Sequence, residues 1–220
     1  MNPSMVRLCG YAGLLGACAM FAGDMLFYGQ WGSGADAFSG TYALVAQADA
    51  ERLVIGGLTS VIGGIGYALG ACHVHGRLAA RPAWLRLGIT AGFLAIAIIA
   101  TATHAVWGSF ALAVVGGTSD PALIANYLSL HFAIGGIVGV PASLLLAGAI
   151  ALRRTDWPIW FAAVSPGAIY LLFSTASYLP APLGAAIVGG AFNLAFLLFY
   201  AISLAISHRR VVTQVSASRT

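Results

Sequence analysis

The stretch IGGLTSVIGGIGYALG, Ile55 to Gly70, carries no charge and sets Gly56, Gly57, Gly63, Gly64, Gly66 and Gly70 among apolar side chains. Glycines so placed give a helix small faces for close backbone approach to its neighbours, as in helix pairs that pack within a bilayer. The run extends in both directions, from Arg52 to Cys72. That is about the 20 residues needed to cross the roughly 30 Å of hydrocarbon in a membrane.

Runs of this kind recur along the chain, which is 60% hydrophobic, only 7% charged and has a mean hydropathy of +0.92. The pattern predicts an all-α polytopic membrane bundle, a single transmembrane domain over residues 1–220. Its six spans fall at about 8–28, 52–72, 87–116, 121–151, 157–179 and 183–207. The first span repeats the small-residue device through Ala12, Gly16, Ala19 and Gly23. Pro141 and the Ser165-Pro166-Gly167 triplet interrupt the fourth and fifth spans, and such breaks are tolerated at membrane depth beside protein or a water-filled cavity.

The arginines orient the bundle. Arg7, Arg77, Arg81, Arg86, Arg153, Arg154, Arg209, Arg210 and Arg219 fall on one side, whereas Asp36, Asp49, Glu51, Asp120 and Arg52 fall on the other. The positive-inside rule then places both termini in the cytoplasm of a cell whose inner (plasma) membrane holds the protein, with 30–51 as an outer loop and 208–220 as a cytoplasmic tail. Arginines dispersed among short loops are no nucleic-acid footprint, so the partner expected is the lipid bilayer.

Short connections carry their own signals. Asp120-Pro121 and Asp156-Trp157-Pro158 read as helix starts capped by the aspartates, and Trp84, Trp157 and Trp160 fall where an interfacial aromatic belt belongs. The absence of lysine removes Schiff-base cofactors such as retinal or pyridoxal phosphate. Cys9, Cys18 and Cys72 lie in or at the ends of spans and read as apolar packing. The apolar run passes beyond the cleavage-like LLGAC at 14–18 to Phe27, which argues that the first span is retained.

The polar residues within the spans carry what chemistry there is. With mid-span as the bilayer centre, Asp24 lies about 9 Å outward, His131 about 7 Å, and His104 and Asn193 about 3–4 Å. Four intramembrane polar groups thus share one leaflet. Tyr28 follows Asp24 by four residues, and Tyr127 precedes His131 by four, which puts each on the same helical stripe. The candidate ligand-binding residues are therefore Asp24, Tyr28, His104, Tyr127, His131 and Asn193. Asp24 is expected to find its partners among Tyr28, His104 and His131, because an aspartate at the centre of a span costs about 2.5–3.5 kcal/mol on insertion scales. His73 and His75, two residues apart on a helix, point in different directions and make a weak metal motif.

Four functional classes fit this pattern. One is binding or transport of a small amphipathic or cationic molecule or a lipid, with dimerisation to enlarge so small a transporter. A second is a hydrolase of lipid amides or esters whose metal, such as zinc, is held by Asp24, His104 and His131. A third is a b-type haem protein with His104 and His131 as axial ligands, and a fourth is a structural protein without a site. The alkaline ceramidase and adiponectin receptor superfamily is similar in its buried Asp, Ser and His, but its late-helix His-x-x-x-His has no counterpart here. GDMLFYG at 23–29, LPAPLG at 179–184 and GGAFNL at 189–194 resemble a family of small bacterial multi-pass membrane proteins of unknown function. The resemblance implies an architecture without an activity, and it marks Asp24, Tyr28 and Asn193 for testing.

Overall fold

The computed structural model describes residues 1–28, 49–79, 82–117, 121–179 and 183–217. Most of the expected outer loop and the Asp120 cap lie outside the described residues. The helices are α1 (Pro3–Tyr28), α2 (Ala50–Arg77), α3 (Ala83–Val115), α4 (Pro121–Ala151), α5 (Pro166–Ser174), α6 (Leu183–Gly189) and α7 (Ala191–Ala217), with 3-10 helices at Ile159–Val164 and Thr175–Tyr178. Among the described residues five stretches are long and apolar enough to cross a membrane: Pro3–Phe27, Ala50–Arg77, Ala83–Ala113, Ala133–Ala151 and Ala191–His208.

The expected span at 157–179 is not one long helix. Pro166 has no N–H to continue the preceding turn and biases Ser165 away from the helical region, where φ is −59° and ψ is 144°. The chain there alternates 3-10 helix, α-helix and 3-10 helix. Pro141, by contrast, is accommodated inside an unbroken α4. The expected span at 183–207 is divided after Gly189, and α7 runs on to Ala217, so the first ten residues of the expected tail are helical.

Glycine sets the tightest pairing, between α1 and α2. A Cβ on Gly66 would fall 2.5 Å from Gly16 Cα and 2.6 Å from the Ala12 carbonyl oxygen, so the backbones touch. Gly16 faces Gly63 and Gly66, Gly10 faces His73, and Val6 faces Gly76. As numbering rises in α1 it falls in α2, and the two helices are antiparallel. The same reasoning makes α2 and α3 antiparallel through Gly64 with Thr101 and Gly57 with Gly108. It does so for α3 and α4 through Gly92 with Ala142 and Ile99 with Gly135.

α7 closes the bundle against α1. Asn193 meets Asp24, Tyr200 meets Gly13, Leu204 meets Gly10, and His208 bonds Tyr11, so this pair is antiparallel as well. The segment from Trp157 to Tyr170 also advances along α7, from Ser203 to Phe192. Between these helices lies an aromatic core that includes Tyr67, Phe93, Phe161, Phe196, Phe199 and Tyr200.

One end of the bundle carries the arginines Arg77, Arg86, Arg153 and Arg154. There two connections are tied by an isolated antiparallel bridge between Leu78 and Thr155, with Ala79 N–H donating to the Arg154 carbonyl at 2.7 Å. Asp156 makes no helix cap and instead pairs with Arg77 at 2.9 Å. Trp157 leaves the expected aromatic belt, being only 4% exposed, whereas Trp84 and Trp160 are exposed at 68% and 57%.

Candidate functional site: a buried polar cluster shared by four helices

At the opposite end, near the last turns of α1, the side chain of Asp24 points into the protein. A helical Cα–Cβ bond leans toward its own N-terminus, which for Asp24 is the direction of the bundle interior. The residue is 4% exposed, so it does not reach for the nearer surface. Its Oδ1 lies 3.1 Å from His104 Nε2 of α3, and its Oδ2 accepts from Asn193 Nδ2 of α7 at 2.6 Å.

A fourth helix completes the cluster. Tyr67 of α2 donates its hydroxyl proton to Asn193 Oδ1 at 2.6 Å. Each amide atom of Asn193 is thereby used, and its orientation follows: oxygen toward the phenol, nitrogen toward the carboxylate. With Asp24 ionised, the proton on His104 Nε2 faces Oδ1. The other imidazole nitrogen, Nδ1, is buried and has no hydrogen-bond partner among the described residues.

Apolar and cationic groups border the pair. Phe27, fully buried, sets its ring centroid 5.8 Å from that of His104 and 6.2 Å from that of Trp107. Arg52, the one arginine expected on this side, donates to the Met25 carbonyl at 3.3 Å. It thus places positive charge at the C-terminal end of α1, where the helix dipole is negative.

Three of the six candidate residues, Asp24, His104 and Asn193, are in contact. His131 and Tyr127 do not join them. His131 Nδ1 bonds the carbonyl of Tyr127 one turn back at 3.2 Å, the two rings meet at a tilt with centroids 4.6 Å apart, and Tyr127 is 44% exposed and faces Phe110. The depth estimate carried no information on which way α4 turns that face. Tyr28 ends α1, and its side chain lies outside the described residues. The proposed metal set of Asp24, His104 and His131 does not assemble, and among the described residues no three His, Cys, Asp or Glu side chains gather as a metal would require. Shared haem ligation by His104 and His131 would draw on the His104 Nε2, which faces Asp24 at 3.1 Å.

A second polar cluster, at the arginine-rich end, was not foreseen. His73, completely buried, has Nδ1 2.8 Å from the Val6 carbonyl and Nε2 2.8 Å from Ser203 Oγ. A carbonyl can only accept, so Nδ1 carries the proton and Ser203 donates to Nε2. Trp157 Nε1 then donates to Ser203 Oγ at 2.8 Å. Both ring nitrogens of His73 are satisfied. Although a serine beside a histidine invites a catalytic reading, Ser203 has no exposed surface through which a substrate could reach it. His75, two residues on, turns instead to Thr90 at 2.9 Å.

No protein-family model, curated protein or solved structure matches the chain. The resemblance drawn from three short motifs therefore rests on those motifs alone. Two of them, GDMLFYG and GGAFNL, supply the Asp24 and Asn193 that meet across the bundle, and the apolar helices make the chain a multi-pass helical membrane protein.

Proposed function

We propose that the chain crosses a bacterial-type inner membrane six times, with the start of α1 and the end of α7 on the cytoplasmic side. In this reading the Asp24–His104 pair is a proton-linked site that binds or transports a small amphipathic or cationic molecule from the outer face. The antiparallel pairing of α1 with α7 supports an even number of crossings, and the broken segment advancing along α7 is read as the sixth. The clustering of arginines at one end supports the orientation.

The observation that carries the functional reading is an ionisable carboxylate, 4% exposed, facing an ionisable imidazole in the interior of a membrane protein. Such groups mark proton and ligand pathways because an unpaired charge there is expensive. In this reading a cation arriving at the carboxylate is exchanged for a proton of the pair.

Isotope-edited infrared spectroscopy of the purified protein, titrated from acid to neutral pH, tests this. A carboxylate band change absent in Asp24→Asn and displaced in His104→Ala supports the reading. Identical titrations in all three proteins would overturn it. A second reading, a static brace holding four helices together, is favoured by the partner that each Asp24 oxygen already has, and it predicts no titration before unfolding.

A further inference from the structure

We infer that His104 occupies the seat of an organic ammonium ion, which takes its place against Asp24 beside the ring of Phe27, itself backed by Trp107. The inference rests on the proton-linked reading of Asp24 and names the ligand class of that site.

Three observations converge. The imidazole lies 3.1 Å from the carboxylate, the distance of a charge-assisted contact. It also lies 5.8 Å from the centroid of Phe27, within the range of about 6 Å at which an aromatic face attracts a cation. Phe27 in turn packs edge-on against Trp107, so the site has an aromatic wall beside one negative charge. Finally, His104 Nδ1 is buried without a partner, so the ring is anchored through Nε2 alone and leaves without breaking a second bond.

These features select against a bare metal ion, which needs several oxygen or nitrogen ligands. They suit a cation whose charge is wrapped in methyl groups, as in aromatic cages for quaternary ammonium. The exchange balances: the ammonium enters, the His104 imidazolium loses one proton to solvent as it departs neutral, and the net charge of the site is unchanged. Among the described residues, the titratable and charged groups around the pair are Tyr67 and Arg52 from α2. Asn193 from α7 is polar but neutral.

The test is calorimetric binding of benzyltrimethylammonium to the full-length protein in detergent, at two pH values, with proton release read from buffers of different ionisation enthalpy. Wild type is expected to release about one proton per probe bound. His104→Ala, which removes the internal competitor, should bind about tenfold more tightly and release none. Phe27→Leu and Trp107→Leu should each weaken binding by about three- to tenfold. Unchanged affinity in both aromatic variants, weaker binding in His104→Ala, or no binding to either wild type or His104→Ala overturns the ammonium site. Those results leave the infrared titration of Asp24 untouched, whereas full binding by a well-folded Asp24→Asn removes the parent reading as well.

Discussion

The hydroxyl of Tyr67 donates to the side-chain oxygen of Asn193 at 2.6 Å, although the two residues lie 126 positions apart and on different helices. That bond fixes which way the asparagine amide faces and therefore what it offers to Asp24. Tyr67→Phe should leave a buried acceptor unsatisfied and cost about 1–3 kcal/mol. Chemical unfolding in detergent measures it, and a variant as stable as the wild type would show that Tyr67 does not hold the cluster.

Close approach of α1 and α2 leads to a second expectation. Gly66→Ala forces a methyl group against the backbone of Gly16 and Ala12, which cannot swing aside as a flexible side chain would. Overpacking of this kind costs about 1–3 kcal/mol. Gly148→Ala, where a Cβ meets nothing within 4 Å, is the control and should be neutral or slightly stabilising. Equal melting temperatures for the two variants would contradict the packing described.

His73, Ser203 and Trp157 should behave as one unit. His73→Ala and Ser203→Ala each break a shared network, so their destabilisations should fall short of additivity by about 0.5–3 kcal/mol in a double-mutant cycle. Both should also shift the tryptophan emission, because Trp157 donates to Ser203. Simple additivity with unchanged emission would argue that the three act separately.

Tyr200 makes the opposite case. Its ring fills the space beside Gly13 and Gly70, but its hydroxyl is buried with no partner among the described residues. An unsatisfied buried hydroxyl is a burden of about 1–3 kcal/mol, so Tyr200→Phe should match or exceed the wild type in stability. A loss of more than about 1 kcal/mol would reveal a bond to that hydroxyl, for instance to an internal water.

The membrane helices were legible because hydropathy and glycine spacing act locally. Asp24, His104 and Asn193 were legible for a coarser reason: buried polar groups at one depth tend to meet. Depth alone misassigned His131, since rotation about a helix axis is set by packing that no single span encodes. It also hid Tyr67, whose Cα lies about 7.5 Å to the arginine-rich side of mid-span. The missing signal was the lean of the side chain toward the N-terminus of α2, which carries the phenol back up to Asn193. The His73 cluster escaped notice because Trp157 had a sufficient local explanation as an interfacial aromatic and Ser203, one small residue in a span, carried no signal of its own.

The pairing of α1 with α7 also sets a timetable for biogenesis. Asp24 enters the bilayer with the first helix, and His104 arrives 80 residues later. Asn193 lies 169 residues behind Asp24. At translation rates of about 5–20 residues per second, the carboxylate waits roughly 10–30 s for its last partner. The nascent chain therefore carries an incompletely compensated acid through most of its synthesis, and completion of the cluster is among the closing events of assembly. Quality-control machinery that surveys membranes for exposed polar groups would have in Asp24 a direct report of whether the seventh helix has docked.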